Sequence, residues 1–158
     1  MLQLNILSNM NTINHATITK AIAAQRQSII QLLQAEKLPV DDLPASLDNF
    51  FVATDNNNVI AAIGVELYGD CGLLRSMVVD RDYRSKYIAS QLVQELESHA
   101  KTNGVNCMYL LTETASQYFE RKGYQRIARD QVPEPLKASS EFSHVCPVSA
   151  IVMKKLLP

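Results

Sequence analysis

The chain has no CxxC pair. Its three cysteines, Cys71, Cys107 and Cys146, are scattered and odd in number. That pattern supports neither a zinc site nor a disulfide framework, and it fits a reducing cytoplasm. No metal site is expected. An excess of one charge is missing too, since the formal net charge is −1. Bulk attraction to nucleic acid or to an anionic membrane is therefore not expected, although a local basic site remains open. No apolar run approaches the length of a membrane span. The start, MLQLNILSN, alternates and lacks a basic n-region, so it does not read as a signal peptide. Repeats and low-complexity tracts are absent.

What is present suits a soluble globular protein. The 158 residues are 47% hydrophobic and 20% charged, enough for a sizeable core in one domain spanning 1–158. Met1–Ser8 alternates and reads as a strand. From His15 to Glu36 the apolar residues Ile18, Ile22, Ile29, Leu32 and Leu33 keep approximate helical spacing. A Pro-containing loop follows over 38–47. FFVATD (50–55), VIAAIGVELYG (59–69) and LLRSMVV (73–79) read as strands, with turns at Asn56–Asn58 and GDCG (69–72). Ile88–Thr102 has one apolar helix face and is stopped by Asn103-Gly104. Then come a strand over 105–112, a short helix over 115–122 ended by Gly123, a strand-like stretch over 124–130, and a loop at Pro133 and Pro135. A final strand covers 150–156. This order defines an α/β fold with a mixed sheet, a hairpin series followed by βαβ crossovers.

The segment VVDRDYRSKYIASQLV (78–93) carries the first candidate chemistry. A strand runs through a charged turn without glycine into a helix. Such a unit aims backbone N–H groups and a positive helix end at one point, which suits a phosphate. Arg84 and Lys86 add charge, and Ser85 or Ser90 offers a hydroxyl. An ordinary turn with solvated basic residues explains the same pattern. The hairpin carries the second. With GDCG centred between Asp70 and Cys71, Glu66 faces Arg75 and Gly64 faces Met77. Glu66 and Arg75 then pair on the face carrying Met77 and Val79. An exposed sheet face or a ligand cleft accounts for them equally well.

The stretch LLRSMVVDRDYRSKYIASQLVQELESHAKTNGVNCMYLLTETASQYFERKGY (73–124) resembles the GCN5-related N-acetyltransferase (GNAT) superfamily. MVV leading into DRDYR is similar to its Leu-x-Val strand entering the acetyl-CoA loop. Arg84 to Ala89 is similar to its [Q/R]-x-x-G-x-[G/A] pattern. YFERKGY resembles its following helix and Gly-aromatic end. LLRSMVV, YLLTETA, VPEPLKASSEF and CPVSAIVMKK further resemble the ArsN-type acetyltransferases of arsenic-resistance operons.

The resemblance implies a largely antiparallel mixed sheet of six to seven strands, about four flanking helices, and a splayed central parallel pair. It implies acetyl-CoA (coenzyme A) as cofactor. Met77, Val78 and Val79 would hold the pantetheine arm, and the backbone N–H groups of residues 85–90 (Ser85, Lys86, Tyr87, Ile88, Ala89, Ser90) the pyrophosphate, with Arg84 as a further cofactor-binding residue. The implied activity is N-acetylation of a small amino compound, with arsinothricin-like or phosphinothricin-like amino acids as candidates. The amine would attack the thioester directly, which agrees with a sequence offering no persuasive catalytic triad. A backbone N–H near Met77 or Val78 would stabilise the oxyanion.

The position near Leu73, where some members carry a glutamate base, lacks it. Glu66 is the substitute candidate, and Arg75 would clamp a substrate anion. Four residues before Gly123, where many members have tyrosine, stands Phe119. Tyr118 is the neighbouring candidate acid, about 100° away round a helix. Tyr87 replaces the middle glycine of the loop, and Arg81 stands where proline precedes it. His15 and His99 fit helix surfaces. A His144–Cys146 dyad has no independent support. Two other functions stay open: an acyl-CoA-binding module without turnover, and a protein-lysine acetyltransferase. A homodimer is a further expectation.

Overall fold

The computed structural model describes residues 16–84, 87–145 and 147–158. The strand expected over Met1–Ser8, Ser85, Lys86 and the His144–Cys146 pairing lie outside those residues. The described strands form one seven-stranded sheet in the order β1-β2-β3-β4-β5-β7-β6. They are β1 (Thr17–Lys20), β2 (Phe50–Asp55), β3 (Asn58–Tyr68), β4 (Cys71–Val79), β5 (Cys107–Thr112), β6 (Gln125–Ile127) and β7 (Ile151–Leu156). The α-helices are α1 (Arg26–Ala35), α2 (Ile88–Thr102), α3 (Ser116–Arg121) and α4 (Glu134–Lys137). No described helix is long and apolar enough to cross a membrane. The chain divides into two compact units: residues up to Gly64 with Ser76–Leu96, and Val65–Arg75 with Glu97–Pro158.

In the first unit, the helix expected from His15 begins only at Arg26. Thr17–Lys20 is a strand instead, pairing antiparallel with β2 through Thr17↔Thr54 and Lys20↔Phe51. Three β-branched residues in a row, Thr17-Ile18-Thr19, favour an extended chain, and β2 supplies the backbone partners. Ile22, read as part of the helix face, is exposed. The face that is buried comes from Ile29 and Leu33, one turn apart. They join Phe50, Val52, Ala62 and Val78 in one apolar cluster. β2 and β3 are joined by Asn56 and Asn57 at φ 49° and 66°, a left-handed pair that suits asparagine in a two-residue hairpin. Gly64 lies opposite Phe50. A Cβ there would come within 2.5–2.7 Å of that ring, so only glycine admits it.

In the second unit, Leu73, Cys107, Tyr109, Val132, Leu136 and Val152 form the core, with Tyr68, Cys71, Leu111 and Phe142 packed against it. β5 pairs antiparallel with β7 from Cys107↔Leu156 to Thr112↔Ile151. Lys155 on β7 bonds both carboxylate oxygens of Glu97 at 2.8 and 2.9 Å. Gly123, at φ 94°, ends α3 in a conformation glycine adopts without strain. A π-type turn at Glu141–Val145 has no counterpart in the sequence reading.

The β4–β5 pair is the parallel one. Its ladder runs Cys71↔Cys107, Gly72↔Met108, Leu73↔Tyr109. β4 continues to Val79 and β5 to Thr112 beyond that ladder. Two details of the hairpin differ from expectation. Its turn is Gly69-Asp70, one residue earlier than GDCG centred on Asp70 and Cys71. Ser76, inside β4, has a left-handed φ of 55°. Val78, rather than Met77 or Val79, joins Ala62 in the apolar cluster.

Candidate active site

The acetyl-CoA candidates form a continuous stretch of the first unit. β4 delivers Met77, Val78 and Val79, and Asp80 N–H bonds Ile60 O at 2.7 Å where the strand ends. Asp80 then opens a single 3₁₀ turn, Arg81–Tyr83, by accepting from Asp82 N–H at 2.9 Å. Tyr83 Oη donates to Asp55 Oδ2 at 2.7 Å, which pushes its phenol pKa up. Arg84 Nε donates to Val79 O at 3.3 Å, and Arg84 Nη2 meets Glu36 Oε1 at 2.8 Å. Arg81 Nε reaches the same oxygen at 3.0 Å. The two guanidiniums, Arg81 first, hold the Glu36 carboxyl below the usual carboxylate range.

Tyr87 is exposed and sits at φ 64°. Its carbonyl accepts from Gln91 N–H at 3.0 Å, so it caps α2 rather than belonging to it. The position where the superfamily pattern has glycine thus does take a left-handed backbone. Tyrosine there carries strain of about 1–2 kcal/mol. Ile88, Ala89 and Ser90 form the first turn of α2, whose N–H groups have no acceptor within the helix. Ile88 also anchors that turn, being 1% exposed.

The catalytic and substrate candidates lie in the second unit. Arg75 Nη1 pairs with Glu66 Oε1 at 2.5 Å. Tyr68 Oη donates to Glu66 Oε2 at 2.5 Å. The expected ion pair is therefore present, with both carboxylate oxygens engaged. Burial first, and then the Glu66 carboxylate, push the Tyr68 phenol well above its ordinary value. Sequence reasoning missed Tyr68, although residues two apart on a strand share a face. It also missed Glu36, which reaches Arg81 from 45 residues away and left no local signal.

Tyr118 lies on α3, with its ring edge-on to Phe119 at 5.2 Å and Lys122 Nζ 5.5 Å from its centre. Its hydroxyl is buried. Phe119 is itself buried and packs edge-on against Tyr124 at 5.4 Å, as an apolar core residue.

A mostly antiparallel seven-stranded sheet with one parallel pair, β4–β5, and with α2 following β4 in the chain is a mixed α/β fold of the acetyltransferase type. The sequence profile of the acetyltransferase (GNAT) domain matches residues 46–126, and the chain belongs to that family. An uncharacterized N-acetyltransferase of Chlorobaculum tepidum is 30% identical over 101 residues, 63% of this chain and 64% of that protein. The amino-acid acetyltransferase of Escherichia coli is 24% identical over 99 residues, 61% of this chain and 22% of the relative. The matches thus span less than two thirds of either relative. Among solved structures, N-acetylglutamate synthase from Neisseria gonorrhoeae, complexed with coenzyme A and L-arginine, superposes with a TM-score of 0.78 at 15% identity. That match covers 90% of this chain and 33% of the other. A Mycobacterium tuberculosis protein in complex with CoA and NLQ gives 0.77 at 19% identity, covering 90% and 99%. At these identities the likeness shows the fold.

Proposed function

We propose that the whole chain acts as one N-acetyltransferase domain, moving an acetyl group from acetyl-CoA to the amine of a small anionic amino acid. The family match over 46–126 carries this reading, since it includes β4, the charged turn and α2. Backbone N–H groups at the start of α2 would take the pyrophosphate, and the extended Met77–Val79 segment the pantetheine arm. Acetyl-CoA supplies the activated acetyl group. This chain's residues would orient the amine, accept its proton and steady the oxyanion.

Arg75 is the substrate residue we favour, because its buried guanidinium is already aimed by Glu66 and suits a carboxylate or phosphinate. Glu66 is the candidate base, acting through water, and Tyr118 the candidate acid. The amino-acid acetyltransferases among the relatives, and the ArsN-type resemblance of the sequence, make glutamate and phosphinothricin the first amines to test. Release of CoA thiol from acetyl-CoA in their presence supports the proposal. The left-handed Tyr87 favours a second reading, a module that binds acyl-CoA without turnover. Binding without thiol release across a panel of amines would select it.

A further inference from the structure

We propose that Glu36 is a positioning residue for the acetyl-CoA loop, fixing the turn from Asp80 to Arg84 by holding Arg81 and Arg84 at once. This rests on reading that loop as the pyrophosphate cradle. Glu36 is the C-cap that follows α1, and the next residue, Lys37, turns left-handed at φ 58°. Lys37 N–H bonds Gln34 O at 3.0 Å and Leu38 N–H bonds Leu33 O at 2.9 Å. The backbone that carries Glu36 is therefore fixed before it meets either arginine.

One oxygen of Glu36 then accepts from two residues of the turn, Arg81 Nε at 3.0 Å and Arg84 Nη2 at 2.8 Å. Arg84 in turn ties back to Val79 O, and Tyr83 ties the middle of the turn to Asp55. From Asp80 to Arg84 the turn has anchors on both sides. The Arg81 and Arg84 side chains are 73% and 48% exposed. Exposed pairs of this kind add little to global stability, so their effect is on local geometry.

That geometry matters because a cradle of backbone N–H groups binds well only if its shape exists before the ligand arrives. Plain electrostatics argues the opposite sign. A carboxylate beside a phosphate site repels the ligand, so removing it should tighten binding. Glu36→Gln decides between the two. It keeps the size of the side chain and removes the charge that gathers both arginines.

The test measures acetyl-CoA affinity by titration calorimetry, and steady-state kinetics, for the full chain and for Glu36→Gln, Arg84→Gln and the double variant. We expect Glu36→Gln to weaken acetyl-CoA binding about fivefold to tenfold, the effect of leaving one or two side chains unordered. Its kcat, amine KM and thermal midpoint should stay at wild-type values, which a merely structural role would not allow. The losses from Glu36→Gln and Arg84→Gln should not add, because both break one clasp. Equal or tighter binding by Glu36→Gln overturns the inference and leaves the cradle reading standing. Additive losses, or a lowered thermal midpoint, also overturn it. Failure of the wild-type protein to bind acetyl-CoA overturns the cradle reading and the inference with it.

Discussion

Arg75 Nη1 lies 2.5 Å from Glu66 Oε1, and its side chain is 1% exposed against 22% for Glu66. The cation is the deeper member, and the carboxylate reaches it from the wetter side. Tyr68 holds the other carboxylate oxygen. Arg75→Ala leaves Glu66 charged beside an unfilled space and should cost about 3 kcal/mol, the penalty for breaking a buried pair. Arg75→Lys keeps the charge and loses the fork. It should raise KM for glutamate or phosphinothricin about tenfold while sparing neutral amines, by the discrimination a lost hydrogen-bond partner gives. Equal effects on both amine classes would remove the clamp role.

Tyr68 gives the pH-dependent prediction. Burial, with Glu66 next, raises its pKa in the folded protein. A group raised by folding contributes its full stabilisation below the unfolded value near ~10 and loses it as pH rises through the higher folded value. The Tyr68–Glu66 bond should therefore persist through neutral and mildly alkaline pH. Tyrosinate absorbance should show Tyr68 among the groups that ionise late. Tyr68→Phe should delete a late step, and deletion of a step near ~10 instead would contradict the assignment.

Tyr87 is the strained residue of the loop. Tyr87→Gly removes the left-handed penalty and exposes more backbone freedom in the unfolded chain, two effects of opposite sign near ~1 kcal/mol each. Global stability should move by less than about 1 kcal/mol in urea unfolding. Acetyl-CoA KM should fall, since the cap of α2 is then held without strain. Tyr87→Ala keeps a Cβ and should not reproduce that fall. An identical response of both variants would show that the ring, and not the backbone, matters.

Much of this was legible in the sequence, and the misses share physical causes. Ile88, Leu92, Val93, Leu96 and Ala100 were read as one buried helix face, and all five are buried. The Glu66–Arg75 pair was read from hairpin alternation and is present, even though the turn lies one residue earlier. Alternation survives a shift that preserves parity. Nothing in the letters around Ser76 marks its φ of 55°. The stretch before Arg26 failed differently. Helical spacing of Ile18 and Ile22 competed with β-branched propensity, and pairing with β2 decided the outcome. Glu36 was out of reach because its partners come from a different part of the chain.

The measurement that bears most directly on the account is thiol release from acetyl-CoA by the purified chain, with glutamate, phosphinothricin and a neutral amine supplied in parallel. We expect turnover with the anionic amino acids, weak turnover with the neutral amine, and loss of the difference in Arg75→Lys. Tight binding of acetyl-CoA with no thiol release for any amine, in protein shown to be folded, would contradict it.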